Sequence, residues 1–248
     1  MKRTLLFAHR GFSGKYPENS PLAFRKVVEE TRADGIESDV HITRDGKLVI
    51  FHDPTVERTS NGTGYIKDMT YEELLSLDIG AWKSPAFAGE HIWTFTQLLE
   101  FCRETKLLLN IELKNYEVFY PELEERVIAE IRAARMEEQV FASSFNHISM
   151  QRFKALCPEI ETGLLYDKPL LDIEQYIQRS SADNMHPRYM LLQYQPELTD
   201  LYHSLGMKVN TWTVNDEENM RDMLARGVDC IISNHPDLLC RVAEDTRA

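Results

Sequence analysis

Residues 34–53 read DGIESDVHITRDGKLVIFHD, and this stretch decides what kind of sheet the chain builds. Gly35–Ile42 is a strand-like run, Thr43-Arg44-Asp45-Gly46 is a turn signal, and Lys47–Phe51 is a second strand-like run. Two strands this close pair only as a hairpin, because a parallel return needs a long crossover. With the turn centred on Asp45, residues whose numbers sum to about 90 face each other, which sets His52 opposite Ser38. Side chains alternate along a strand, so Glu37 and Asp39 project together while Ser38 projects away from them.

Outward from the hairpin, short apolar runs alternate with helical patterns along the whole chain. The runs are Leu5–Ala8, Gly35–Ile42, Leu107–Leu113, Val140–Phe145, Thr162–Tyr166, Met190–Gln193, Lys208–Val214 and Asp229–Ser233, with Asn184–His186 as the alternative to Met190–Gln193. Between them, Phe24, Val27 and Val28 repeat at helical spacing, as do Leu123, Val127, Ile128 and Ile131, and later Met220, Met223 and Leu224. Ser20-Pro21 reads as an N-cap followed by a first-turn proline, and Thr70…Glu73 and Thr94…Gln97 fit capping boxes. Eight strands, each followed by a helix, in 248 residues predict a (β/α)8 TIM barrel. A doubly wound open sheet is the alternative, but no G-x-G-x-x-G follows the first strand. The whole of 1–248 reads as a single barrel domain. Only the segment from about residue 54 to 92 is too long for an ordinary strand-to-helix connection. It carries Asn61-Gly62-Thr63-Gly64, a short helix over Thr70–Leu77, and Trp82, and it reads as an insertion capping the catalytic end.

Composition narrows the partners. Hydrophobic residues make up 43% and charged residues 27%, which excludes a disordered or low-complexity chain. Forty acidic against 28 basic residues give a net charge of -12, and no Lys/Arg-rich run offsets it, so nucleic acid and stable association with anionic membranes are not expected. The apolar run Thr4–Ala8 stops at His9-Arg10, short of a signal-peptide core, and no stretch is long enough to span a bilayer. Cys102, Cys157, Cys230 and Cys240 are widely spaced and read as reduced thiols of a cytoplasmic protein.

In a barrel of this kind the chemistry sits at the C-terminal ends of the strands. Those ends deliver His9-Arg10-Gly11, Glu37-Ser38-Asp39, His52-Asp53, Glu112 and Lys114, Ser144-Phe145, His186, Trp212, and Asn234-His235. One carboxylate at a strand end is usually half of a salt bridge, but three converging inside a barrel mouth repel one another and are costly to desolvate. A hard divalent cation resolves that cost, and all-oxygen ligation by Glu37, Asp39 and Glu112 favours Mg²⁺ or Ca²⁺ over zinc. His9 and His52 beside such a cluster suit an acid–base pair. Arg10 offers a guanidinium fork for a phosphate, and Lys114 either adds a point charge to the same anion or neutralises Glu112. Trp212 either packs on the substrate at the mouth or belongs to the barrel core, and His186 either lines the mouth or is a structural residue, while His41, His91, His147 and His203 have no readable partner and are taken as surface or packing residues.

The stretches AHRGFSGKYPENSPLAF, DGIESDVHITRDGKLVIFHDPTVERTSNGTG and LNIELK closely resemble the glycerophosphodiester phosphodiesterases. The segments at Ser143-Ser144-Phe145, Trp212–Asn215 and Ile231–Ser233 extend the similarity across the chain. The resemblance implies a (β/α)8 barrel with one divalent cation that hydrolyses glycerophosphodiesters to sn-glycerol 3-phosphate and an alcohol. It also implies that His9 and His52 are the catalytic pair, that Glu37, Asp39 and Glu112 are the metal carboxylates, and that Arg10 and Lys114 contact phosphate. Four positions depart from the family pattern. Ser38 replaces a leucine and is expected to affect packing alone, and Glu18-Asn19-Ser20 replaces ENT. A proline is replaced near Trp93, and Ser233-Asn234-His235-Pro236 replaces a TDYP-like turn; both are expected to bear on the leaving group more than on catalysis.

Two rivals share these residues. A phospholipase-like lyase on the same barrel would stop at a cyclic phosphate and would want an apolar or basic membrane-binding surface, which the sequence does not signal. A non-catalytic phosphate-binding barrel would not need the His9–His52 pair. The expected partner is a small-molecule glycerophosphodiester.

Overall fold

The computed structural model describes residues 3–246. The strands are β1 Leu5–His9, β2 Gly35–Ile42, β3 Leu48–Ile50, β4 Leu108–Leu113, β5 Val140–Ser144, β6 Glu161–Tyr166, β7 Asn184–Pro187, β8 Lys208–Thr211 and β9 Cys230–Ser233. The helices are α1 Pro21–Glu30, α2 Tyr71–Leu75, α3 Phe95–Thr105, α4 Leu123–Ala134, α5 His147–Leu156, α6 Ile173–Ser180, α7 Tyr189–Tyr194, α8 Leu198–Ser204, α9 Glu217–Ala225 and α10 Pro236–Asp245. Parallel pairing runs β1-β9-β8-β7-β6-β5-β4-β2 and returns from β2 to β1, so eight parallel strands close a barrel with helices between them. β3 hangs antiparallel on β2 with Val40 facing Ile50 and Ile42 facing Leu48, the register read from the turn at Asp45.

Local signals start the helices as expected. The Ser20 hydroxyl accepts from the Ala23 N–H with Pro21 in the first turn, and Thr70 and Thr94 form reciprocal capping boxes with Glu73 and Gln97. One expectation needs correction. Met190–Gln193 lies in α7, not in a strand, and the sixth parallel strand of the barrel in sequence order is Asn184–Pro187, the other reading. The apolar run misleads because Leu191 and Leu192 are the buried face of a short helix.

Burial is organised in three places. Phe7, Cys230 and Ile232 fill the barrel interior, joined by Leu5, Leu108, Phe141 and Trp212. The main core lies between strands and helices and includes Ile36, Val40, Leu109, Ile111, Phe24, Leu98 and Val127. A third cluster, Val49, Phe51, Val56, Ile66, Leu74 and Ile79, lies under the segment that follows β3. Each large side chain fully buried in these clusters contributes about 1.5–3 kcal/mol. Trp93, next to the replaced proline expected to bear on the leaving group, packs against Phe24 and Phe101 in the helical layer. Among the described residues, no helix is long and apolar enough to cross a membrane.

Candidate active site

Strand alternation delivers the charged residues to one opening. Glu37 and Asp39 from β2 and Glu112 from β4 are 4%, 1% and 7% exposed, and one carboxylate oxygen from each lies within 4.8 Å of the others. In the sheet Asp39 pairs with Glu112, so the two side chains leave neighbouring strands on the same face. Burial, followed by the charges of Asp39 and Glu112, pushes the Glu37 carboxyl well above the usual carboxylate range, and burial raises Glu112 as well. Asp39 is held low in spite of its burial, by the charges of Lys114, His52 and Arg10.

Salt bridges satisfy only part of this cluster. Lys114 Nζ donates to Glu112 Oε1 at 2.8 Å and lies 3.4 Å from Asp39 Oδ1, while Arg10 Nε lies 3.5 Å from Asp39 Oδ2. Arg10 is already bonded to Glu18 at 2.8 Å. Among the described residues the buried Asp39 Oδ1 has no hydrogen-bond partner, and Glu37 Oε2 accepts only the Arg10 backbone N–H at 3.1 Å, with the His9 ring 3.7 Å away. A buried all-oxygen donor set with an orphaned carboxylate oxygen and unrelieved repulsion fits a divalent cation.

The two histidines stand on different supports. His9 Nδ1 is 2.6 Å from Asn234 Oδ1; an amide oxygen only accepts, so Nδ1 carries the proton and Nε2 is left as the acceptor. Burial, helped by the Arg10 charge, lowers the His9 pKa to about 3. His52 Nδ1 is 2.5 Å from Asp53 Oδ1, a carboxylate, and its backbone carbonyl is 3.0 Å from His41 Nε2. His41 is therefore buried and partnered, with Tyr120 on its other nitrogen at 2.9 Å. After β1 the chain turns sharply through Arg10 and Gly11, both at positive φ, and a Cβ on Gly11 would lie 2.9 Å from Ala23.

The opening, about 80 Å³, is lined by His9, Arg10, Glu37, His52, Glu112 and Trp212 among others. Phe145 stands between Tyr116 and Trp212, with ring centroids 5.3 and 5.5 Å away, and makes an aromatic wall that joins the carboxylates at Tyr116, whose hydroxyl accepts from Lys114 Nζ at 2.7 Å. His186 does not reach this opening. It is fully buried in the barrel, with Nε2 accepting from Asn210 at 2.9 Å, in space that exists because position 163 is glycine. Burial lowers its pKa to about 3.

Several residues of the site have no role assigned from sequence, although Asp53 and Asn234 stand at strand ends named above. Asn19 Nδ2 donates to Asp39 Oδ2 at 2.8 Å, and Ser38 donates to Asn19 Oδ1 at 2.8 Å. Ser38 faces away from the cluster, as its parity requires, but is joined to it through Asn19 and does more than pack. Asn234, in the departing terminal turn, contacts His9 itself. Asp53, Glu18 and Arg58 complete the set. Asp53 carries a local signal, adjacency to His52, and Arg58 and Glu18 lie 5 and 8 positions from Asp53 and Arg10, but Asn19–Asp39, Glu18–Arg58 and His9–Asn234 span 20, 40 and 225 positions and leave no spacing to read.

Residues 9–238 match the model of the Glycerophosphoryl diester phosphodiesterase family. A glycerophosphodiester phosphodiesterase of Caldanaerobacter subterraneus subsp. tengcongensis is 42% identical over 237 residues, covering 96% of each chain. Another from Bacillus altitudinis is 35% identical, over 98% of this chain and 100% of the relative. Among solved structures, an Oleispira antarctica phosphodiesterase in complex with the product sn-glycerol-3-phosphate superposes with a TM-score of 0.85 at 29% identity, covering 98% of this chain and 97% of that one. A glycerophosphodiester phosphodiesterase from Agrobacterium tumefaciens superposes with a TM-score of 0.83 at 27% identity, covering 96% and 99%.

Proposed function

The chain belongs to the glycerophosphoryl diester phosphodiesterase family, and from that premise we propose how its residues hydrolyse glycerophosphodiesters to sn-glycerol 3-phosphate and an alcohol. The observation that carries the reading is the buried trio Glu37, Asp39 and Glu112 flanked by His9 and His52. The trio would hold one divalent cation, Mg²⁺ or Ca²⁺, which when bound supplies Lewis acidity to the phosphoryl oxygens. Arg10 and Lys114 bind and orient the phosphate.

The neutral amide behind His9 and the carboxylate behind His52 suit different tasks. His9 Nε2 takes the proton of the glycerol 2-hydroxyl as that oxygen attacks phosphorus, and His52, supported by Asp53, gives a proton to the alcohol as its P–O bond breaks. Water then opens the cyclic phosphate at the 2-oxygen with the two roles reversed. The aromatic wall of Tyr116, Phe145 and Trp212 receives the leaving group.

In this reading residues 1–248 are one barrel domain, and residues 54–92 cap its catalytic end. The net charge of -12 favours small soluble diesters over anionic bilayers or nucleic acid. The four cysteines, all free and buried, fit the cytoplasm. The test is release of sn-glycerol 3-phosphate from a panel of glycerophosphodiesters by protein stripped with EDTA and resupplied with Mg²⁺ or Ca²⁺. Metal-dependent release is expected; no release with either metal from any substrate overturns the reading, and arrest at the cyclic phosphate favours the lyase.

A further inference from the structure

Arg58 belongs to the segment after β3, outside the barrel strands, and makes four hydrogen bonds to two carboxylates. Its Nε and Nη2 donate to Asp53 Oδ2 and Oδ1 at 2.6 and 2.9 Å, and its Nη1 and Nη2 donate to Glu18 Oε2 and Oε1 at 3.0 and 2.7 Å. The same two oxygens serve the catalytic groups. Asp53 Oδ1 also meets His52 Nδ1, and Glu18 Oε1 also accepts from Arg10 Nη1. One planar fork thus stands between the residue that handles the proton and the residue that grips the phosphate.

We propose that Arg58 is a positioning residue for the phosphodiester reaction, fixing His52 through Asp53 and Arg10 through Glu18 in a single spacing. The proposal rests on the reading given above for His52 and Arg10. A guanidinium suits the task because it is planar and can address two carboxylates edge-on at once, whereas an ammonium is a single point charge. The Arg58 side chain is 45% exposed, so its ion pairs add little to stability. Its effect is on placement, where an error of about 1 Å can cost on the order of 100-fold in rate. The arrangement also gives the segment after β3 a part in catalysis without touching substrate.

The experiment compares wild-type protein, Arg58→Ala, Arg58→Lys, Asp53→Asn and Glu18→Gln, all loaded with Mg²⁺ or Ca²⁺, for kcat, KM and melting temperature. Arg58→Ala is expected to lose about 10- to 100-fold in kcat and to raise KM several-fold with a small change in melting temperature. Arg58→Lys is expected to recover little of either. Asp53→Asn should move mainly kcat, because it acts through His52, and Glu18→Gln mainly KM, because it acts through Arg10. Millimolar guanidinium ion should restore part of the Arg58→Ala activity while leaving wild type unimproved. Arg58→Ala or Arg58→Lys with wild-type kcat and KM overturns the proposal, as does an Asp53→Asn and Glu18→Gln pair without that division, a comparison that stands even if Arg58→Ala fails to fold. An inactive wild type would instead defeat the reading of the site itself.

Discussion

The two ends of the barrel differ in a way that volume does not reveal. Beside the N-terminal ends of β1 and β9 lies a hollow of about 840 Å³, lined by Arg3, Asp200, His203, Arg226 and Asp229 among others. Most of its charges are in ion pairs: Arg3 with Asp34 at 2.7 Å, His203 with Asp229 at 2.8 Å, and Arg226 with Asp222 at 2.9 Å. The opening at the C-terminal ends is only about 80 Å³, yet its buried charges are left incompletely satisfied. Among the described residues Asp39 Oδ1 and Arg10 Nε lack hydrogen-bond partners, and Glu37 is held against two other carboxylates. Buried polar atoms without partners are expensive, and they persist where a ligand supplies the missing interaction. The proposed chemistry sits where buried charges of one sign converge, not in the wider hollow at the other end.

The largest expected effect lies at the open end. His9→Ala and His52→Ala should each lose about 10²- to 10⁴-fold in turnover, measured as sn-glycerol 3-phosphate release, with cation binding retained. A p-nitrophenyl leaving group, which needs little protonation, should spare His52→Ala and not His9→Ala. Near-normal turnover in either variant on natural diesters would break the two-histidine scheme.

The barrel interior between the two ends supplies a pH test. The unfolded chain takes up a proton on His186 near its ordinary pKa of 6.5, but the folded chain does so only near 3, because the imidazole is fully desolvated. Stability should therefore fall as pH drops from 6.5 towards 3, by about 1.4 kcal/mol per pH unit, and this contribution should be flat above 6.5. Urea unfolding of wild type and His186→Gln across that range isolates it. Parallel pH curves for the two proteins would refute the assignment.

A smaller effect is expected one hydrogen bond out from the carboxylates. Asn19→Ala frees Asp39 Oδ2, and Ser38→Leu, which restores the residue usual in the family, frees the Asn19 amide to turn. Calorimetric cation titrations should show weaker binding by several-fold to about 10-fold, larger for Asn19→Ala, as for other groups that orient metal ligands. Unchanged affinity in both would return Ser38 to a packing role. The smallest effect belongs to the closed end: His203→Ala should leave kcat and KM unchanged and cost about 1 kcal/mol or less in urea unfolding, since its side chain is 38% exposed.

What could be read from the sequence was whatever strand period and turn geometry encode. Glu37, Asp39, Glu112 and Lys114 follow from alternation, and the place of His52 follows from the hairpin register around Asp45. Those rules act over a few residues. They fail for Arg58, whose partner Glu18 is 40 positions away, and for Asn234, which is 225 positions from His9, because such pairs are created by barrel closure. They also fail at His186, where the strand end was correct but a glycine on the neighbouring strand admitted the ring to the interior. Met190–Gln193 failed for a different reason: a buried helical face of one turn has too few residues to show its period.

In the proposed function the open end is completed by one divalent cation on Glu37, Asp39 and Glu112. Isothermal titration of Mg²⁺ and of Ca²⁺ into EDTA-stripped wild type and Glu37→Gln tests it most directly. One cation per wild-type chain, with binding severely weakened in Glu37→Gln, is the predicted result. Full sn-glycerol 3-phosphate release by stripped wild-type protein that binds neither metal would contradict it.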